Sequence, residues 1–207
     1  LDSADIEEIK NGARLGVISG VTTNPSLAAK AGVGGVEAYK LAVQEIASIV
    51  DGPISIEVIS DDPDEMILEG RDYATWIDNP WVKLPSSAAG FQAMKVLSME
   101  GIQINQTLCF SVNQALLGAQ AGATAVSPFV GRLDDIGEDG MGLVKDIADV
   151  FKIHEIKTKV LAASIRGPKH CVDAARAGAH IATIPVDVLK QMVKHPLTDI
   201  GIQKFND

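Results

Sequence analysis

Short apolar runs alternate with helical segments along the whole sequence, and no other feature restricts the fold as strongly. Each run is rich in Ile, Val and Leu, and the segment after it carries apolar residues at the three- and four-residue spacing of a helix. Such alternation is typical of parallel strands connected by helices. The count is eight strand–helix units, which predicts an α/β protein folded as a (β/α)8 TIM barrel, with an open doubly wound sheet as the alternative.

The element boundaries follow from this periodicity. Strands are expected at residues 1–2, 16–21, 54–59, 81–84, 102–105, 123–127, 160–163 and 180–184. Helices are expected at 6–13, 36–49, 63–76, 88–99, 112–121, 142–151, 168–177, 186–193 and 198–205, and a short one begins at Pro25. The one irregular piece is the Gly- and Asp-rich segment 132–142. Because no linker interrupts the pattern, residues 1–207 are expected to form a single barrel domain with a short C-terminal helix.

Composition narrows the function classes. Hydrophobic residues make up 46% of the chain but aromatic residues only 4%, so the core must be built from Ala, Val, Ile and Leu. The net charge of -9 argues against nucleic acid as a partner, because phosphate backbones are bound by clustered Lys and Arg. No apolar run approaches the roughly 20 residues of a membrane span, so no membrane partner is expected either.

The cysteines and histidines predict neither a disulfide framework nor a metal site. Cys109 and Cys171 are far apart and lie in apolar contexts, and the four histidines match no metal-ligand spacing. The first eight residues are acidic and lack the features of a signal peptide. A reducing, cytoplasmic location is therefore expected.

Lys83 is the first candidate for chemistry, because it lies within a short apolar strand that Pro85 and Ser86 follow. Burial disfavours the charged form of an amine, and a lysine in such a place can serve as a nucleophile. The alternative is a lysine that extends from the strand end into water. Polar residues at the ends of the other strands favour the nucleophile.

Nearly every predicted strand delivers polar residues to its carboxyl end, where the catalytic residues of barrels cluster. Because strand side chains alternate between two faces, Ser55 and Glu57 should point into the barrel while Ile56 meets the outer helices. Glu57 is then a buried carboxylate beside Lys83, either as a structural ion pair or as an acid/base partner of a nucleophile. The other polar residues at these ends are Asp2, Thr22, Asn24, Asn105, Thr107, Ser127 and Ser164.

Arg132 and Arg166, with Ser164, form a second group after the sixth and seventh predicted strands. This place is near the usual phosphate site of barrels, and the planar guanidinium suits a phosphate. In an acidic chain the two arginines would be a local positive site. The alternative is surface ion pairs with nearby acids, Asp134, Asp135 or Glu138.

Nine segments, in order over essentially the whole chain, resemble the transaldolase family. They are LDSAD (1–5), GVTTNPSL (20–27), IEVIS (56–60), VKLP (82–85), INQTLCFS (104–111), SPFVGRLDD (127–135), AASIR (162–166), ATIP (182–185) and HPLTDIG (195–201). The match is closest to the small-subunit branch, which also holds the fructose-6-phosphate aldolases. The family implies a class I aldolase-type barrel that works through a Schiff base, with no metal and no cofactor.

The resemblance also implies roles for individual residues. Lys83 corresponds to the Schiff-base lysine, Asp2 to the aspartate that takes a proton from the substrate hydroxyl, and Glu57 to the glutamate that works through a catalytic water. The residues corresponding to groups that orient the substrate and that water are Asn24, Asn105 and Thr107. Those corresponding to the pocket wall are Thr22 and Ser127, and those corresponding to the phosphate grip are Arg132, Ser164 and Arg166.

Two positions separate the branches of this family. The aldolases are known for glutamine at the position of Glu57 and tyrosine at the position of Phe129, so this chain has the transaldolase residue at both. The resemblance therefore implies transfer of a dihydroxyacetone unit between sugar phosphates in the pentose phosphate pathway. The expected pairs are sedoheptulose 7-phosphate with glyceraldehyde 3-phosphate and erythrose 4-phosphate with fructose 6-phosphate.

Two other functions stay open at this point. One is a fructose-6-phosphate aldolase that releases free dihydroxyacetone, against which Glu57 and Phe129 argue. The other is an inactive sugar-phosphate-binding barrel, against which the intact set of Asp2, Glu57 and Lys83 argues. The family further implies a homo-oligomer, a pentamer or a decamer.

Overall fold

The computed structural model of the chain describes residues 1–206, in which parallel strands alternate with helices. The strands are β1 (Val21–Thr22), β2 (Ile54–Glu57), β3 (Pro80–Pro85), β4 (Gln103–Cys109), β5 (Ala125–Pro128), β6 (Lys159–Ala162) and β7 (Ile181–Ala182). Every strand pairs in parallel with the next one along the chain, so the spatial order is also the sequence order. This order is the one that a barrel built from consecutive strand–helix units requires.

The helices follow the strands in turn. They are α1 (Ile6–Ala13), α2 (Pro25–Lys30), α3 (Val36–Ile49), α4 (Pro63–Tyr73), α5 (Ala88–Met99), α6 (Val112–Ala121), α7 (Val130–Asp135), α8 (Gly140–Ile153), α9 (Pro168–Ala177), α10 (Val186–Val193) and α11 (Pro196–Asn206). Several begin at a side-chain cap directly after a strand. Asn24 caps α2, Ser87 caps α5 and Ser111 caps α6, each accepting a backbone N–H of the first turn.

The N-terminal residues join the two edges of the seven-stranded sheet. Asp2 forms an isolated parallel bridge with Thr22, and the Thr22 N–H donates to the Leu1 carbonyl at 2.8 Å. On the other side the Asp2 N–H donates to the Ile184 carbonyl, also at 2.8 Å. Residues 1–2 therefore take the place of the eighth strand, and the predicted (β/α)8 architecture is confirmed.

The predicted alternation along β2 is also confirmed. Ile54 and Ile56 are buried in the aliphatic core between the sheet and the helices, as is Val58 just after the strand. Ser55 faces the interior, where its hydroxyl accepts a hydrogen bond from Asn105, and Glu57 meets Lys83. Each fully buried aliphatic side chain contributes about 1.5–3 kcal/mol, so a shift of register by one residue would be costly.

Several predicted boundaries are off by two to four residues; for example, the helix predicted at 63–76 ends at Tyr73 and the strand predicted at 102–105 continues to Cys109. Two further predictions are wrong over a whole segment. Residues 16–20 are a turn and loop rather than a strand: Gly16 has a φ of 70°, and a Cβ on Gly20 would lie 2.8 Å from the Pro53 carbonyl oxygen. The segment 132–142 is not irregular throughout, because α7 covers its first part and α8 begins at Gly140. Arg132 thus lies on a helix. No helix within residues 1–206 is long and apolar enough to cross a membrane.

Candidate active site

Lys83 lies in the middle of β3 with its side chain inside the barrel. The residue is only 5% exposed, and its Nζ is 3.1 Å from Glu57 Oε2. The same Nζ donates to the backbone carbonyl of Thr23 at 3.2 Å. Glu57 and Lys83 are register partners on neighbouring strands, so the sheet itself brings the carboxylate to the amine. The alternative of a lysine that extends into water does not hold.

Asp2 belongs to a chain of three polar side chains across the strand ends. The Thr22 hydroxyl donates to Asp2 Oδ1 at 2.7 Å and lies 2.5 Å from the hydroxyl of Thr183. Because the single proton of Thr22 goes to Asp2, Thr183 must be the donor of the second bond. Thr183 was not singled out in the sequence. Its place at the end of β7 was the available signal.

Asn105 is fully buried, and both ends of its amide are held. Its Nδ2 donates to Ser55 Oγ at 3.0 Å, and its Oδ1 accepts from Ser127 Oγ at 2.6 Å. These two bonds hold the amide in place from both ends. The predicted residues Asn105 and Ser127 are thereby brought together, with Ser55 as an additional partner.

Thr107 is positioned by a bulge in β4. The pairing with β5 shifts by one residue between Gln106 and Cys109, and Leu108 has a φ of 54°. The Thr107 hydroxyl is buried and, within the described chain, has no hydrogen-bond partner. Buried polar groups are nearly always paired in proteins, so this hydroxyl is a candidate ligand-binding group.

A small cavity of about 60 Å³ lies beside Lys83, and neither Glu57 nor Thr107 lines it. It is lined by Asp2, Thr22, Asn24, Lys83, Asn105, Ser127, Phe129, Leu161, Ala163, Ser164 and Thr183. All but Leu161, Ala163 and Thr183 are residues that the sequence singled out as site candidates. Lys83 is therefore buried but faces a space in which a small carbonyl compound could reach it.

The two arginines lie outside the cavity lining, and both are exposed. The guanidinium carbon of Arg132 is 5.1 Å from the ring centre of Phe129, which does line the cavity. Arg166 forms an ion pair with Asp135, 2.6 Å between Nη2 and Oδ2, with both side chains more than half exposed. Arg166 thus has a surface ion-pair partner in this structure, whereas Arg132 has no carboxylate within 4 Å over residues 1–206.

A close backbone approach brings the two arginine segments together. A Cβ on Gly131 would lie 2.2 Å from the Ser164 carbonyl oxygen and 2.5 Å from Arg166 Nε. The Gly131 N–H donates to the Ser164 carbonyl at 2.9 Å, and Ser164 has a φ of 57°. Glycine at position 131 therefore allows α7 and the loop after β6 to meet.

Two buried groups near the site are held in their neutral forms. Burial raises the pKa of Tyr39 to about 12 and the pKa of the Cys109 thiol to about 11. Cys109 is therefore not a reactive thiolate at neutral pH. Over residues 1–206, no three or more His, Cys, Asp and Glu side chains are grouped as they would be to hold a metal ion.

Comparison with known proteins supplies the family. The family model described as "Transaldolase/Fructose-6-phosphate aldolase" matches residues 1–206. A protein of Clostridium acetobutylicum named "Probable transaldolase" is 58% identical over 205 residues, which cover 99% of this chain and 94% of that protein. Proteins with the same printed name from Heliobacterium modesticaldum and Dehalococcoides mccartyi are 59% and 55% identical, over 99% of this chain and 94% of each relative. The chain belongs to the transaldolase/fructose-6-phosphate aldolase family.

Proposed function

We propose that the chain is a transaldolase, which moves a dihydroxyacetone unit from a ketose phosphate to an aldose phosphate through a Schiff base on Lys83. The observation that carries this proposal is the buried Lys83 amine, 3.1 Å from the Glu57 carboxylate and facing the cavity. A lysine amine must lose its proton before it can attack a carbonyl. Glu57 is close enough to accept that proton, directly or through a water.

The reaction begins with attack of the neutral Lys83 amine on the ketone carbon, and water leaves as the iminium forms. The iminium then withdraws electrons from the neighbouring carbon–carbon bond. A base removes the proton of the hydroxyl next to that bond, the bond breaks, and an aldose departs. Asp2 is the proposed base, because Thr22 holds one of its carboxylate oxygens at 2.7 Å and the residue lines the same cavity as Lys83.

The three-carbon unit remains on Lys83 as an enamine until an aldehyde acceptor arrives. Attack of the enamine carbon on the acceptor forms the new bond, and hydrolysis of the iminium frees the new ketose and the amine. Asn24, Asn105, Ser127 and Thr107 would hold the substrate hydroxyls and the catalytic water. Of these, Asn105 and Ser127 already have a fixed orientation through their mutual hydrogen bond.

The proposed substrates are the sugar phosphates sedoheptulose 7-phosphate, fructose 6-phosphate, glyceraldehyde 3-phosphate and erythrose 4-phosphate. Arg132 and Arg166, with Ser164, would bind the phosphate at the edge of the cavity. Because Arg166 is paired with Asp135, a phosphate would have to compete with that carboxylate. This assignment places the enzyme in the pentose phosphate pathway of the cytoplasm.

A homo-oligomer is proposed on the exposed apolar surface near the C-terminus. Helix α11 has no buried residue within the described chain. Large apolar side chains on α10 and α11 are 48% exposed or more; they are Met192, Val193, Leu197, Ile200, Ile202 and Phe205. Several large exposed apolar side chains on two successive helices are typical of a surface that contacts another protein.

A product assay distinguishes transfer from cleavage. The protein is incubated with fructose 6-phosphate, with and without erythrose 4-phosphate, and both sedoheptulose 7-phosphate and free dihydroxyacetone are measured. The proposal expects sedoheptulose 7-phosphate only when the acceptor is present, and little free dihydroxyacetone in either case. Faster release of dihydroxyacetone than transfer would show a fructose-6-phosphate aldolase, and no turnover of either kind would contradict both functions.

A further inference from the structure

Lys83 Nζ has two acceptors, and both connect to a single buried hydroxyl on helix α3. The acceptors are the Thr23 carbonyl at 3.2 Å and the Glu57 carboxylate at 3.1 Å. Tyr39 Oη lies 2.5 Å from the Thr23 hydroxyl and accepts the Glu57 backbone N–H at 3.4 Å. Tyr39 thus contacts, from outside the sheet, the two strand ends that hold the amine.

The direction of these hydrogen bonds follows from counting protons. The Thr23 hydroxyl donates its one proton to the Ser55 carbonyl at 2.8 Å. In the pair with Tyr39 it must therefore be the acceptor, and Tyr39 the donor. Tyr39 then donates a hydrogen bond to Thr23 and accepts one from the Glu57 N–H. Its hydroxyl therefore binds the two residues, Thr23 and Glu57, whose carbonyl and carboxylate contact Lys83.

The surroundings of Tyr39 keep this hydroxyl in place. The residue is 4% exposed, and its ring meets Trp76 edge-on with 5.9 Å between ring centres. Burial raises its pKa to about 12, so the phenol stays protonated and can donate throughout the working range of an enzyme. Thr23 itself is fully buried, so water does not replace the phenol as its partner.

We propose that Tyr39 is a positioning residue for the Schiff-base step, which it serves by holding the Thr23 and Glu57 segments at the distances that place the Lys83 amine. This inference rests on the proposed function of Lys83. Tyr39 does not touch the cavity and acts only through Thr23 and Glu57. Misplacement of a reacting group by a fraction of an ångström lowers the rate of the chemical step while leaving distant substrate contacts intact.

The chain contains a matched control for the hydroxyl. Tyr73, at the end of α4, is 1% exposed and packs on the same Trp76 with 4.3 Å between ring centres. Its hydroxyl is buried and has no hydrogen-bond partner within residues 1–206. Tyr39→Phe and Tyr73→Phe therefore remove the same atom from the same aromatic cluster, and only the first removes contacts with the lysine's partners.

The experiment compares both variants with the unmutated protein. The rate of borohydride trapping with fructose 6-phosphate, kcat, KM and the unfolding midpoint are measured for each. Tyr39→Phe removes the short bond to Thr23 and the longer one from the Glu57 N–H. It should lower the trapping rate and kcat by roughly tenfold and change KM by less than about twofold. Tyr73→Phe should leave the trapping rate and kcat unchanged.

Variants of Thr23 test the same connection from its other end. Thr23→Val removes the hydroxyl at nearly constant shape and should slow trapping to a similar extent, whereas Thr23→Ser keeps the hydroxyl and should restore most of the rate. Tyr39→Phe combined with Thr23→Val should lose less than the product of the two single losses, because both variants break the Tyr39–Thr23 bond. Each also removes one bond of its own, to the Glu57 N–H and to the Ser55 carbonyl respectively. If Tyr39→Phe does not fold, the comparison of Thr23→Val with Thr23→Ser is sufficient to test the proposal.

The outcomes separate this inference from the proposed function. Trapping of Tyr39→Phe at the unmutated rate, or equal losses in Tyr39→Phe and Tyr73→Phe, would overturn the positioning role while Lys83 remains the nucleophile. A loss that follows the unfolding midpoint and is not restored by Thr23→Ser would show a structural role only. Absence of trapping in the unmutated protein would overturn the proposed function and this inference together.

Discussion

The lysine side and the arginine side of the candidate site are held in different ways. Lys83 on β3 and Glu57 on β2 occupy paired positions of neighbouring strands, and Lys83 is 5% exposed. Arg132 lies on α7 and Arg166 on the loop after β6, and both are exposed. Arg166 forms an ion pair with Asp135. The first side is set by backbone hydrogen bonds of the barrel, the second by side chains that water and ligands can reach.

This difference indicates a division of labour. Covalent chemistry needs reacting atoms at a fixed distance, which neighbouring strands of one sheet supply. Holding an anion needs only charge and hydrogen-bond donors at the edge of the cavity, and exposed ion pairs there are weak enough to change partners. We therefore expect substitutions on the lysine side to affect mainly the chemical step, and substitutions on the arginine side to affect mainly binding.

The largest effect is expected from Lys83→Arg. The guanidinium stays protonated and is not a nucleophile, so the covalent route is lost and transfer activity should fall by at least about a thousandfold. Steady-state transfer from fructose 6-phosphate measures it. Lys95→Arg, at an exposed position on α5, is the matched control and should retain full activity. Substantial remaining activity in Lys83→Arg would contradict the covalent role.

Arg166→Ala should have the next largest effect and should act on binding. Hydrogen bonds to charged groups contribute about 1.5–3 kcal/mol, less where water competes, so binding of phosphorylated ketoses should weaken by roughly tenfold. KM for fructose 6-phosphate is compared with KM for unphosphorylated fructose, which should change much less. Equal losses for both sugars would show that the arginine is structural.

Glu57→Gln and Phe129→Tyr test whether the lysine side also controls transfer against cleavage. The enamine must survive until an acceptor arrives, so a proton donor near its carbon favours release. Phenylalanine has no hydroxyl and cannot hold or orient a water, whereas tyrosine can. Glutamine can donate a hydrogen bond, whereas an ionised glutamate can only accept one. Phe129→Tyr, alone or with Glu57→Gln, should raise the ratio of free dihydroxyacetone to transfer product several-fold. An unchanged ratio would remove both residues from this role.

Asp135→Asn should have the smallest effect and the opposite sign to Arg166→Ala. Removing an exposed carboxylate frees Arg166 for the phosphate, so KM for phosphorylated ketoses should fall by about two- to threefold, as expected for a surface ion pair. Glu138→Gln removes an exposed charge nearby and should change KM less. A rise in KM for Asp135→Asn would mean that the carboxylate positions Arg166 for the ligand.

The fold could be predicted because alternation of strands and helices is a local property of the sequence. The boundaries that failed depend on contacts that are not local. Residues 16–20 have the composition of a strand, but only Val21–Thr22 pair with β2, and Gly20 lies close to the Pro53 carbonyl. Helix α7 could not be predicted, because its last four residues belong to a Gly- and Asp-rich segment that is typical of a loop.

The candidate site divides in the same way. Lys83 within β3 and Glu57 at the end of β2 could be predicted, because strand alternation turns both side chains into the barrel and the barrel topology brings the strands side by side. The Thr23 carbonyl could not, since a backbone atom has no sequence signature. Tyr39 lies on a helix, and its hydroxyl reaches Thr23 only through the docking of α3 against the sheet. Thr183 closes its contact with Thr22 across 161 residues of sequence.

The most direct test of the account is the position of the covalent link. The unmutated protein is incubated with fructose 6-phosphate, reduced with borohydride, digested, and the labelled peptide is identified by mass spectrometry. The account predicts a single reduced sugar adduct on Lys83, the buried lysine beside Glu57. An adduct on Lys95 or Lys30 instead, or no adduct at all, would contradict it.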